Sequence, residues 1–163
     1  MENSRIRKIY DNLERNVLIL IAVPIPFFGF VYLNYENPMF FFEVPELSEF
    51  WEYLGLGLVF TFLIAQYLVF QKDIKSIVGS FFELDRKLES YSKAAIKRFG
   101  ILFVAALIAA GGLFLFGNAG YTVAFAVTLL FFSIAKPSPE RIISSLKLKG
   151  EEKDLIMSLK RRE

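Results

Sequence analysis

Chemistry in this chain would have to start from the polar side chains set among long apolar runs, and these are few. Thr61, Gln66, Thr122, Thr128 and Ser133 stand inside uncharged stretches, and Glu52 sits at the edge of one. A charged side chain within such a stretch usually marks an ion or proton path, because an isolated charge is costly away from water. None is present, so proton-coupled transport or a motor cycling a buried carboxylate is not expected. Glu52 reads as an interfacial residue. Gln66 is the one side-chain amide well inside a stretch. Its expected role is a hydrogen bond between helices, worth about 1 kcal/mol, ahead of a substrate contact.

The second chemical possibility is a broken helix. Pro24 and Pro26 fall in Val-Pro-Ile-Pro near the middle of the first apolar run. Neither ring nitrogen can donate, so the carbonyls of Leu20 and Ala22 lose their helical partners. Free carbonyls of this kind coordinate ions in transporters built on discontinuous helices, although kinks without such a role are common. Pro24, Pro26 and Gln66 form the candidate polar or kink site.

Other chemistries lack their residues. The chain has no Cys and no His, which removes thiol chemistry, disulfides and His-borne proton transfer and leaves carboxylates as the strong metal ligands. No phosphate-binding glycine loop, nucleophile elbow, paired aspartates or selectivity-filter sequence is found. No catalytic residue, cofactor or metal site is expected.

Small residues recur at helical spacing instead. Gly57, Thr61 and Ala65 lie four apart; Ala105, Ala109 and Gly112 share one side of a later run, and Ala124 belongs to the next. Such stripes let helix backbones approach closely. They are read as packing faces within the chain, or as an interface with another subunit.

The elements that must position these residues follow from charge and length. Apolar residues make up 55 % of the 163 residues, above the roughly 45–50 % of soluble domains, and mean hydropathy is +0.45. Charge is absent from Asn16–Tyr35, Tyr53–Gln71 and Phe99–Ala135. A membrane span needs about 20 residues at 1.5 Å rise each. The first two stretches fit one span apiece. The third, 37 residues long, fits two if divided at the turn-forming Gly117-Asn118-Ala119-Gly120. Four spans at about 17–34, 50–71, 100–117 and 120–135 are expected. The first is expected to be retained, since no small-residue cleavage site follows it.

All 19 basic residues lie in three segments: four before Asn16, seven between Lys72 and Arg98, and eight from Lys136 onward. The loop after the first span has Glu36, Glu43, Glu46 and Glu49 and no basic residue. The positive-inside rule then sets both termini and the middle segment in the cytoplasm. The aromatic-rich loop is expected to lie along the outer interface, with Pro45 opening the second span's helix.

Within 72–98, Ile74, Ile77, Phe81, Leu84, Leu88, Tyr91 and Ala95 recur at helical spacing among charges, which predicts an amphipathic link. Two arrangements fit it. It lies on the inner leaflet with Lys75, Arg86, Lys87, Lys93, Lys97 and Arg98 at anionic headgroups or a partner, or spans two and three extend and pack together, bending near Gly79 or Ser90. The tail over 136–163 is expected to be helical, with Ser138 as N-cap and Pro139 as first helical residue.

The expected fold class is all-α: a polytopic membrane protein of four helices in two hairpins with amphipathic cytoplasmic helices, in a prokaryotic inner membrane. Residues 1–16 form a cytoplasmic amphipathic segment. The expected function is a non-enzymatic structural or accessory subunit, partnered by the bilayer and by other membrane subunits or copies of itself. Near-balanced charge points to no nucleic-acid partner. The alternative is an oligomeric channel or transporter using the kinked first span.

Overall fold

The computed structural model describes residues 2–162, and every regular element among them is helical. The Val-Pro-Ile-Pro stretch divides the first helix only nominally. Helix α1 (Glu2–Ala22) and helix α2 (Pro24–Glu36) are separated by Val23 alone. Val23 keeps helical angles, φ −71° and ψ −47°, and its amide donates to the Ile19 carbonyl at 3.2 Å. The two therefore count as one helical run of 34 residues, Asn3–Glu36, whose second part is the apolar one. Proline is tolerated at the start of a helix because its missing donor would be unpaired there anyway. The interruption expected at Pro24 and Pro26 is thus a local loss of bonds rather than a break. The segment over 1–16, expected as a separate amphipathic piece, is the first half of the same helix.

Beyond α2 the chain crosses an exposed loop. Asn34 holds its start: Oδ1 accepts from the amides of Met39 at 3.2 Å and Phe40 at 3.0 Å, and Nδ2 donates to the Phe40 carbonyl at 3.2 Å. Helix α3 (Glu49–Val78) begins after Ser48, four residues beyond the proline expected to open it. Glu49 and Glu52 stand in its first turn, where the helix dipole favours acids.

The segment expected as one amphipathic link over 72–98 is divided. Helix α3 continues to Val78, the chain turns through 79–83, and helix α4 (Leu84–Phe116) returns. Ile74, Ile77, Leu84, Leu88 and Tyr91 are buried, so most of the apolar face is spent on packing within the bundle, whereas Phe81 at the turn is exposed with Phe82 beside it.

Helix α4 is the axis of the molecule, packing against α1, α2, α3 and helix α5 (Ala119–Ala135). This explains its composition. Ala94, Ala95, Ala105, Ala106, Ala109, Ala110 and Gly112 are all buried, and small side chains let several neighbours approach one helix at once. It ends at Gly117, whose φ of 61° suits a residue without Cβ. Asn118 then caps α5, its Oδ1 accepting from the Gly120 amide at 2.6 Å.

Helix α6 (Pro139–Leu146) leaves α5 at an angle of 80°. Ser138 is its N-cap, accepting from the Arg141 amide at 3.3 Å, with Pro139 first in the helix. Helix α7 (Gly150–Met157) and a 3₁₀ turn (Ser158–Arg162) complete the charged end. In all, α1 with α2, α3 and α4 are each long and apolar enough to cross a membrane; α5, bent into α6, makes a fourth if that pair is counted.

Candidate functional site

Two polar clusters pin α3 to its neighbours, one toward each end of the apolar region. At the charged end, Gln66 is fully buried. Its Nε2 donates to the Leu63 carbonyl at 3.0 Å, and its Oε1 accepts from Arg98 Nε at 2.6 Å. The guanidinium carbon also lies 4.7 Å from the Phe70 ring centre, a cation–π arrangement. Phe70 in turn meets Tyr91 edge-on at 6.0 Å. Burial holds the Tyr91 hydroxyl up at about 12, against a smaller downward pull from Arg98 and Arg141.

Arg98 was expected at lipid headgroups or a partner, and the structure turns it inward to Gln66. The signal for this pairing was in the register. Residues 66 and 98 stand at similar distances on either side of Phe81, where the chain reverses, and an antiparallel pair brings such positions level.

The remaining cations of the 72–98 segment are divided. Lys97 pairs with Asp73 at 3.3 Å, Lys93 with Glu89 at 3.3 Å, and Lys87 with Glu152 of α7 at 3.3 Å. Lys75 and Arg86 are exposed. The ion pairs at Lys93 and Lys97 are too exposed to contribute much to stability.

At the opposite end, Glu52 receives a hydrogen bond from Asn118 Nδ2. Its backbone carbonyl accepts from the Tyr121 hydroxyl at 2.6 Å. The Tyr121 ring is fully buried and stacks on Phe116 at 5.9 Å. Space for it comes from two glycines: a Cβ at Gly55 would strike the hydroxyl, and one at Gly112 would overlap the ring. Tyr121 and Gly55 were not singled out from the sequence. A tyrosine at the mouth of an apolar helix reads as an interfacial anchor until the facing glycines are brought opposite it.

The small-residue stripes have separate fates. Ala105, Ala109, Gly112 and Ala124 are buried inside the bundle. Ala65 is half-buried, whereas Gly57 and Thr61 face outward, and a Cβ at Gly57 would meet nothing within 4 Å. Thr61 Oγ1 donates to the Gly57 carbonyl at 2.7 Å, so the hydroxyl is satisfied within its own helix. Of the kink prolines, Pro24 is buried and Pro26 is exposed.

Comparison with protein-family models, with curated proteins and with solved structures yields no match. Function is therefore argued from these residues alone. At the far charged end, Glu83, Asp85, Glu151 and Glu152 line a cleft of about 740 Å³. Arg5 closes one side of it, bonded to Asp85 at 2.9 Å. Among the described residues no group of three or more carboxylates is arranged to hold a metal ion.

Proposed function

We propose that the chain is a four-span protein of a prokaryotic cytoplasmic membrane, with both termini in the cytoplasm. In this reading it serves as a structural or accessory subunit that associates through α3, with another copy or with other membrane subunits. The observation that carries it is the unequal use of the small-residue stripes. Ala105, Ala109 and Gly112 on α4 and Ala124 on α5 are buried inside the bundle, while Gly57 and Thr61 stay on the outer face of α3, flanked by exposed Ile64 and Leu68. Apolar area alone does not drive helices together in lipid, because lipid tails are equally apolar. Close backbone approach at small residues does. The open face at Gly57 is therefore suited to another helix more than to acyl chains.

The threading within this reading draws on the distribution of basic residues, all of which fall in the three segments set at one side. The polar groups that a pore would call on are engaged within the chain: Gln66 with Arg98 and Leu63, Asn118 with Glu52 and Gly120. Purification in a mild detergent with mass measurement tests the proposal. An assembly larger than one chain, lost when Gly57 is replaced by Leu, is expected. A strict monomer with no co-purifying subunit contradicts it.

A further inference from the structure

Where α1, the end of α5 and α6 meet, the structure holds a cleft of about 440 Å³. Its walls carry both signs of charge: Arg7, Lys136 and Arg141 with Asp11 and Glu14. The depth of the cleft is informative. Arg15 is the last charge before the run Asn16–Tyr35, and Lys136 is the first after Phe99–Ala135. The cleft thus lies at the level where charge gives way to apolar surface.

A shallower hollow of about 390 Å³ along the face of α1 shares Asp11 and Glu14 with it and continues past Arg15, which adds a cation at the rim, to Leu18, Ile19 and Ala22. Leu18 and Ile19 are exposed there. A polar cleft opening onto an apolar strip matches an amphiphile with a charged head and a hydrocarbon tail.

The charges define the head. Glu140, also in the cleft, is paired with Lys160. Among the described residues, Arg7, Lys136, Asp11 and Glu14 join no ion pair. The Arg141 guanidinium donates to the Lys136 carbonyl at 3.1 Å, which steadies that wall. A purely anionic head would suit Arg7 and Lys136 but would face two carboxylates. A head carrying a phosphate and a primary ammonium satisfies both walls. The ammonium has three N–H donors for Asp11 and Glu14; a quaternary choline has none.

We propose that this cleft binds a glycerophospholipid of the phosphoethanolamine class. Its phosphate lies at Arg7, Lys136 and Arg141, its ammonium at Asp11 and Glu14, and one acyl chain along Leu18, Ile19 and Ala22. The proposal rests on the membrane-embedded reading given above.

The test reconstitutes the full chain in bilayers of equal parts ethanolamine, choline and glycerol phospholipids and identifies retained lipid by native mass spectrometry. Wild type is expected to retain the ethanolamine lipid several-fold over the other two. D11N/E14Q removes that preference while keeping phospholipid, R7Q/K136Q lowers retention of all three, and K153Q on the exposed side of α7 does neither. E14Q alone, a single surface change, gives the same direction if the double variant folds poorly. Retained lipid that mirrors the bulk mixture, enrichment of the glycerol lipid, or a preference unmoved by D11N/E14Q and E14Q overturns the proposal. Extraction with alkaline carbonate separates the two readings. A chain that stays in the washed membrane without lipid preference overturns the lipid site alone, whereas release into the wash overturns both.

Discussion

Two side chains show how sparse polarity is used in an apolar bundle. Tyr121 occupies a slot made by the missing side chains of Gly55 and Gly112, and its hydroxyl reaches the Glu52 carbonyl. Overpacking beside a rigid ring has few routes of relief, and such insertions cost about 1–3 kcal/mol. Gly112→Ala is therefore expected to lower the detergent melting temperature clearly, while Gly57→Ala, whose Cβ meets nothing within 4 Å, leaves the isolated chain at least as stable. Equal melting of the two variants would contradict the slot. Tyr91 gives a second prediction. Its folded-state value of about 12 lies above the ordinary 10. Below pH 10 the hydroxyl is protonated in both states and costs nothing. Between about pH 10 and 12 the unfolded chain ionises first, so stability is lost as pH rises through that window. Tyr91→Phe should lose less stability across pH 10–12 than wild type, read as the difference between their melting curves. Parallel curves would show that the hydroxyl is not held in this way.

Among the elements, α3 and α4 depend on each other most. Arg98 and Gln66 join them where apolar surface begins, the guanidinium held by an amide oxygen and a ring face. Gln66→Leu leaves the guanidinium Nε without its acceptor, an expected loss of about 1–2 kcal/mol. Arg98→Met in the same chain should recover part of it, because the unpaired donor is then gone. A double-mutant cycle measures this coupling, and strict additivity would show that the pair is incidental. Much of the element pattern was legible in the sequence for physical reasons. Uncharged length marked the long helices, Gly117 marked the turn before α5, and Ser138-Pro139 marked the start of α6. What was not legible depended on a choice between equivalent neighbours. The apolar face of 72–98 would serve a lipid surface or a second helix, and the reversal at 79–83 turns most of it onto the helix while leaving Phe81 exposed. The proline pair read as a break because local hydrogen bonds are lost there, yet Val23 carries the helix through.

At the scale of the whole molecule, the bundle is asymmetric. Helix α4 is enclosed by its neighbours, whereas the apolar windows of the α1–α2 run and of α3 are each only 22 % buried within the chain, against 44 % for α4. Helix α3 is therefore, like the α1–α2 run, a long helix with one face used and one face open. The open face carries the two small residues, Gly57 and Thr61, that allow another helix to come close. Lateral association there is the central claim, and site-directed photocrosslinking in native membranes tests it most directly. A photoreactive side chain is placed in turn at Gly57, Thr61, Ile64 and Leu68, with Val123 and Leu130 on the exposed side of α5 as controls. The account predicts a discrete protein adduct from the four α3 positions and little from the controls. Lipid adducts alone at the α3 positions, or equal protein adducts from both helices, would contradict it.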